Sequence, residues 1–283
     1  MYITGRRPWF GRRDGKLVKK LPSVRRIVPH LMPTRVESMV YYPSHLDVER
    51  MQIWLDEYNA TRPEAERVKF FHIFLTAFAR LYRQRPELNR FISGRRTYQH
   101  SDIHFSFTVK QAMTDEAAEV QAHLKFTGLE TVDEVRALIE KALARARDPR
   151  KNYSNQLIDV LVHVPGPILG LIARLAFALD AVNLMPKFLQ DAIPMYTSAY
   201  LVNLGSLNAE APFHHLYQRG TASVFVSIGT IRPEPVVDED GRIVARRRVD
   251  VVYTIDERVT DGFYLVRSSQ VLQAMFDDPG SLT

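Results

Sequence analysis

The period of the hydrophobic residues changes along the chain, and this change limits the folds that it can adopt. Segments 47–60, 68–85 and 131–147 carry apolar residues at helical spacing, whereas 96–112 and the C-terminal third alternate apolar and polar residues as half-buried strands do. An Asp-Gly pair at 240–241, between the last two strand segments, is typical of a hairpin turn. Helices and strands mixed in this order predict an α+β fold with a central sheet and helices on one side.

The composition excludes several classes of protein. The chain has 283 residues, of which 46% are hydrophobic and 25% charged, and this length is enough to bury a large core as one domain or two. It contains no cysteine, which excludes a disulfide scaffold, a thiolate metal site and a cysteine nucleophile. The first residues lack the apolar stretch of a secretory signal, so we expect a cytoplasmic protein.

The positive charge is concentrated at the start of the chain. Residues 1–35 hold ten Lys and Arg residues against one acid, Asp14, a net charge of +9; since the whole chain carries +6, the other 248 residues sum to −3. We therefore predict a basic arm at 1–28, followed by a single domain at 29–283. The arm lies in solvent, packs on a neighbouring subunit, or contacts phosphate groups or anionic lipid. Beyond this charge nothing indicates nucleic acid, and we expect no nucleic-acid partner.

Residues at about 155–195 form an apolar insertion. It carries Asp159, Arg174 and Asp180 and is interrupted at 165–167 by Pro-Gly-Pro. No apolar run therefore reaches the length of about 20 residues that a membrane-spanning helix needs. We predict two short helices, which either pack within the fold or form a lipid-facing lid or a contact with a membrane surface.

Three short motifs follow one another along the chain. They are P-E-L-N at 86–89, Y-L-V-N-L-G-S-L at 200–207 and D-E-R-V-T-D-G at 256–262. In this order and spacing they resemble the catalytic core of the 2-oxoacid dehydrogenase acyltransferases, which shares the chloramphenicol acetyltransferase fold. The resemblance runs from about residue 29 to the C-terminus, apart from the insertion. It implies a chloramphenicol acetyltransferase-like α+β fold, with a central mixed β-sheet and helices packed on one face, in a short, free-standing member without a lipoyl domain.

The resemblance also implies where the chemistry takes place, and the chain departs from the family there. In the family a motif histidine is the general base, and a serine of the S-N-L-G strand binds the oxyanion. Glu257 stands at the histidine position, and Val202, next to Asn203, stands at the serine position. His214 and His215 either supply an imidazole that pairs with Glu257 or hold a turn. The candidate catalytic residues are therefore Glu257, His214, His215 and Asn203.

A structural part of the motif is retained. Asp261 and Gly262 match the D-G of the family motif. The family's aspartate pairs with an arginine from near the start of the core, and Arg35 matches that place. The resemblance therefore predicts an Arg35–Asp261 salt bridge that fixes the motif loop.

Two functions follow from the resemblance. One is an acyltransferase with altered catalytic residues, which moves an acyl group from coenzyme A or another thioester to an unknown acceptor. The other is a catalytically silent homologue, a trimeric scaffold or a ligand-binding module. In either case we expect a homotrimer able to join a larger assembly of trimers. We expect no metal, and peripheral contact with a membrane surface through the basic arm and the insertion.

Overall fold

Two β-sheets organise the chain in a computed structural model, which describes residues 11–110, 119–147 and 161–283. The larger sheet has six strands in the order β2-β9-β8-β7-β5-β6. Its strands are β2 (Met39–Asp47), β5 (Ile103–Lys110), β6 (Glu119–Phe126), β7 (Ala199–Asn203), β8 (Val224–Val237) and β9 (Ile243–Asp256). The β5–β7 and β7–β8 pairs are parallel and the other pairs are antiparallel, so the sheet is mixed.

A smaller sheet and the helices complete the described part of the chain. The smaller sheet has the order β1-β4-β3, with β1 (Gly15–Leu17), β3 (Arg90–Ser93) and β4 (Arg96–His100). The helices are α1 (Ser23–Leu31), α2 (Glu49–Asn59), α3 (Phe70–Gln84), α4 (Val132–Arg147), α5 (Gly166–Ala181), α6 (Lys187–Ala192) and α7 (Gly262–Asp277).

The hydrophobic core lies between the six-stranded sheet and helices α2, α3, α4 and α7. The alternate burial of side chains along β7 shows this arrangement, because successive side chains of a strand point to opposite faces of the sheet. Ala199 and Leu201 belong to the large core cluster, which also contains Phe74 of α3. Tyr200 and Val202 belong to a small cluster with Leu216 and other residues. The predicted α+β fold, with a central mixed sheet and its helices packed on one face, is confirmed.

The helices predicted from periodicity are confirmed, and one predicted strand is wrong. Helices α2, α3 and α4 occupy 49–59, 70–84 and 132–147. Helix α4 begins with a capping box, since the backbone N–H of Glu134 donates to Thr131 Oγ1 (3.3 Å) and that of Thr131 to Glu134 Oε2 (2.9 Å).

The segment 96–112, predicted as a single strand, contains a break between two strands. Its described residues, up to Lys110, form β4 in the small sheet and β5 in the large one. The bend falls at Ser101, whose backbone N–H donates to Asp14 O (3.0 Å), and at Asp102, whose carbonyl accepts from Asn89 Nδ2 (3.1 Å). These contacts lead the chain from one sheet to the other.

The arm and the insertion are partly visible. Residues 11–28 of the predicted arm include β1, which pairs with β4, and the first part of α1. In the insertion, α5 and α6 are the two helices predicted there, while 148–160 lie outside the described residues. Within the described ranges, none of the helices has both the length and the apolar character needed to cross a membrane.

Candidate active site

A groove at the end of β9 carries the motif glutamate. Helix α1, the last residues of β9 and the first turn of α7 enclose about 460 Å³, within the usual range of ligand pockets. Glu257 lines this groove and is exposed. The walls are mostly apolar and come from Val24, Val28, Met32, Val40, Ile255 and Leu265. We call this the Glu257 groove. Its lining combines the exposed Glu257 with these apolar side chains.

Arg25 of α1 holds the loop that carries Glu257. Its Nη1 donates to the carbonyls of Glu257 (2.7 Å) and Thr260 (2.8 Å), and its Nη2 lies 3.2 Å from Asp261 Oδ2. The backbone N–H of Glu257 donates to Ser38 O (2.9 Å). The backbone of Glu257 is thus bound on both sides, while the residue is exposed beside the groove.

Asp261 caps helix α7. Its Oδ1 accepts from the backbone N–H of Tyr264 at 2.7 Å, in the manner of an N-cap residue. This hydrogen bond, together with the Arg25 guanidinium, keeps the pKa of Asp261 below its usual range. Gly262 begins the helix directly after it. The structural part of the motif therefore fixes the direction in which the chain leaves the site.

The predicted Arg35–Asp261 salt bridge is wrong. Arg35 is buried; it donates to the carbonyls of Tyr217 (3.1 Å) and Gly220 (2.7 Å), and its Nε lies 3.8 Å from Asp256 Oδ2. An arginine does reach Asp261, but it is Arg25, which lies within the predicted arm. Arg25 lies within α1 and binds the motif loop directly. Arg35 follows that helix and binds the carbonyls of Tyr217 and Gly220 instead.

Asp256 is a buried anchor that the sequence reasoning missed. Its carboxylate accepts from Arg258 Nε (2.8 Å) and Nη2 (2.7 Å) in a bidentate pair, and from Ser38 Oγ (3.1 Å). Arg258 also donates to Met32 O at 2.9 Å. The available signal was the Asp and the Arg two residues apart in D-E-R, since alternate residues of a strand lie on one face. This pair orients the motif turn so that its middle residue points outward.

The two histidines do not pair with Glu257 within one chain. The His214 ring stacks on Phe225, with 3.9 Å between ring centroids, and on His215 at 4.8 Å. Nδ1 of each histidine lies within 2.9 Å of a backbone carbonyl, of His215 for His214 and of Leu216 for His215. Burial lowers the pKa of His214. Among the described residues, neither ring forms a hydrogen bond or ion pair with Glu257. Within one chain the arrangement is that of a turn packed by stacking.

Asn203 lies well away from Glu257 along the sheet. Its Oδ1 accepts from the backbone N–H of Gly205 (3.0 Å), which closes the turn after β7. Through Ile228, Asn203 is level with Val251 of β9, six residues before Glu257. At the rise of a strand this separation is roughly 20 Å. The two motif positions therefore do not meet within one chain.

The comparisons agree with the fold, and the family match covers the last two of the three motifs. Residues 197–283 match the family model of the 2-oxoacid dehydrogenases acyltransferase (catalytic domain). A search of curated proteins gave no match.

Three solved structures are similar over nearly the whole chain. A probable dihydrolipoamide acetyltransferase from Listeria monocytogenes has a TM-score of 0.59 at 14% identity, with 93% of this chain and 94% of that chain covered. The cubic core of the pyruvate dehydrogenase multienzyme complex has a TM-score of 0.61 at 14% identity, covering 94% and 93%. A truncated catalytic core of the 2-oxoacid dehydrogenase multienzyme complex from Thermoplasma acidophilum has a TM-score of 0.55 at 17% identity, covering 93% and 99%.

The chain thus has the fold of the acyltransferase cores. The resemblance to the 2-oxoacid dehydrogenase acyltransferase catalytic domain is confirmed, in sequence over residues 197–283 and in fold over most of the chain.

Proposed function

We propose that this protein is an acyltransferase, which moves an acyl group from coenzyme A or another thioester to an acceptor bound in the Glu257 groove. The observation that carries the proposal is the position of Glu257. By the motif resemblance it stands at the position of the family's histidine, and it lines an apolar groove of about 460 Å³ on a loop bound on both sides. That family's chemistry needs a base at this place.

The reaction balances with Glu257 as the base. The acceptor hydroxyl, amine or thiol attacks the thioester carbonyl and gives its proton to the Glu257 carboxylate. The tetrahedral oxyanion then collapses, the carbon–sulfur bond breaks, and the protonated carboxyl returns the proton to the leaving thiolate. A carboxylate acts in this way best where water is excluded. The apolar walls of the groove supply part of that exclusion, and the bound ligand supplies the rest.

We propose a homotrimer because the two motif positions, Asn203 and Glu257, lie far apart within one chain. Asn203 and Glu257 lie roughly 20 Å apart along the sheet of one chain, so a site that uses both takes them from two copies. Val202 offers no hydrogen-bond donor, which leaves the Asn203 side-chain amide as the candidate for the oxyanion. One similar structure is the cubic core of a multienzyme complex, and this supports the further proposal that trimers join into a larger assembly.

The apolar insertion supports contact with another surface. Helix α5 exposes Ile168, Leu171, Ile172, Leu175 and Leu179 by 40 to 58%. A helix that is apolar all round is normally covered. We propose a neighbouring copy or an anionic membrane surface beside the basic arm as its cover, and binding to anionic rather than neutral vesicles distinguishes the two.

The alternative is a silent trimeric scaffold that kept the fold and lost the reaction. Its support is the valine at position 202 and the absence of a His–Glu pair within the described residues of one chain. Both functions share the fold and the trimer, so only turnover separates them.

Thiol release from acyl-CoAs of short to long chain tests the proposal. We expect the wild type to release thiol and Glu257→Gln to lose at least about 100-fold in rate, the usual contribution of a general base. Glu239→Gln, at an exposed position in the β8–β9 turn, is the matched control and should keep the wild-type rate. Equal rates in wild type and Glu257→Gln would contradict the role of Glu257. Absence of both release and acyl-CoA binding by calorimetry would favour the scaffold.

A further inference from the structure

A second pocket lies between the insertion and the core. It has a volume of about 130 Å³. Its walls are the turn between β3 and β4, the last residues of α5, the segment 218–220, and two buried arginines that follow α1 and β9. We propose that this pocket binds the phosphate or carboxylate group of a small anionic ligand. The inference does not depend on acyl transfer.

The lining of this pocket is predominantly cationic. Arg35, Arg95, Arg219 and Arg258 contribute to it, against one carboxylate, that of Asp180. The Asp180 carboxylate is already used, because its Oδ1 lies 2.9 Å from Arg12 Nη2. Guanidinium groups bind carboxylate and phosphate oxygens in paired hydrogen bonds, so a lining of this kind selects anions.

The innermost part of the lining has one carboxylate for two arginines. Asp256 is held in a bidentate pair by Arg258, and Arg35 Nε is 3.8 Å from it, beyond hydrogen-bond distance. Arg35 is 3% exposed, and its Nε has no hydrogen-bond partner. A buried donor without a partner is costly. Burial lowers the pKa of Arg35 to about 10 even though Asp256 opposes the shift. An anion in the pocket would relieve both effects.

The surrounding charges leave the pocket positive. Beside the pocket, Arg12 pairs with both Asp14 and Asp180. These three side chains together carry a net charge of −1. The net charge of the pocket and its surroundings is +2, from five arginines (Arg12, Arg35, Arg95, Arg219 and Arg258) and three aspartates (Asp14, Asp180 and Asp256). The carboxyl end of α5 adds a partial negative charge of roughly one half, which is smaller than this excess.

The two outer arginines are free to reach a ligand. Arg95 follows Gly94 in the turn between β3 and β4, and both have left-handed backbone, with φ of +61° and +54°. A Cβ on Gly94 would lie 2.6 Å from Ala181 O, so this turn is pressed against the end of α5. Arg219 lies over the Phe177 ring of α5 at 4.9 Å. Both side chains belong to exposed residues, and neither forms an ion pair within the described ranges.

The volume limits the ligand to one such group. About 130 Å³ holds a phosphate or a carboxylate with a few waters, since the share of liquid volume of one water is about 30 Å³. A dinucleotide or a whole coenzyme A does not fit. The pocket therefore takes a small anion or the anionic end of a larger molecule, and in doing so it ties the insertion to the core.

Calorimetric titration of the full chain with inorganic phosphate, and separately with acetate, tests this proposal at constant ionic strength. We expect saturable binding of at least one of the two, and Arg219→Gln should weaken it about tenfold, the loss of one charge-assisted contact. Binding of phosphate alone assigns a phosphate-bearing ligand, and binding of acetate alone a carboxylate-bearing one. Arg219 is exposed, so the unfolding temperature without anion should stay unchanged and confirm that the variant is folded.

Arg26→Gln is the matched control. Arg26 lines a separate basic groove beside α1, which shares Arg95 but not Arg219 with the proposed pocket. Its substitution should leave the affinity within twofold. The proposal is overturned if neither anion binds saturably, or if Arg26→Gln weakens binding while Arg219→Gln does not.

Discussion

Arg25 is the residue that connects α1 to the motif loop. It makes two hydrogen bonds to backbone carbonyls and one ion pair with Asp261, and its side chain is 21% exposed. Because hydrogen bonds from a charged donor are stronger than neutral ones, these contacts together determine how firmly Glu257 is placed. The geometry of the site thus depends on a residue within the segment that the charge pattern marked as an arm.

Arg25→Ala should lower the free energy of unfolding by about 2 kcal/mol, since two charge-assisted hydrogen bonds and a partly screened ion pair are lost. It should also reduce turnover, because the motif loop loosens. Urea denaturation measures the first effect. Arg242→Ala, which removes an exposed arginine of the β8–β9 turn paired with Asp240, is the control and should change stability little. A variant as stable as this control would show that Arg25 does not hold the loop.

At the scale of the element, helix α3 depends on a neutral histidine. His72 is buried near its start, and its Nδ1 accepts from the backbone N–H of Lys69 at 3.1 Å. Burial lowers the pKa of His72 from 6.5 to about 4, with a smaller contribution from Lys69. Protonation of Nδ1 would both charge a buried ring and remove this acceptor. This buried histidine therefore also caps the helix.

The chain should lose stability in mild acid. A group whose pKa is lowered on folding binds more protons in the unfolded chain, so its contribution is complete above pH 6.5 and is lost as the pH falls towards 4. At pH 5 the loss should be about 2 kcal/mol for His72. Burial lowers the pKa of His100 to about 4 as well, which adds to the slope. Urea denaturation between pH 7 and pH 5 measures it.

Substitution of His72 isolates its share of this effect. His72→Asn keeps an acceptor near the position of Nδ1 but does not titrate, so the fall in stability between pH 7 and pH 5 should be smaller than in the wild type. His30→Asn, at an exposed position on α1, should leave the slope unchanged. Equal slopes in all three proteins would rule out His72 as a source of the acid sensitivity.

The sequence predicted the helices and strands more accurately than it predicted the contacts between them. The helical period located α2, α3 and α4, because it depends on which face of an element is buried. The strand period ran through Ser101 and Asp102 and did not reveal the break between β4 and β5, since that break depends on Asp14 and Asn89, which are distant in sequence. The candidate site shows the same difference. The motif indicated Glu257 as a site residue, but the partner of Asp261 is Arg25 rather than Arg35, because this contact depends on how α1 packs.

At the scale of the whole molecule, the central claim is that Glu257 works in a site completed by a second copy. One chain holds Glu257 and Asn203 roughly 20 Å apart along the sheet, and it leaves α5 with an exposed apolar surface. Both observations are explained if copies associate. The stability of a single chain and the activity of the assembly are then separate properties.

Sedimentation and thiol release, measured on the same dilution series, test this claim most directly. We predict a species of three times 32.6 kDa whose turnover per chain falls in step with the trimer fraction as the protein is diluted, because a dissociated chain lacks half of its site. A monomer that releases thiol at the same rate per chain at every concentration would contradict the account.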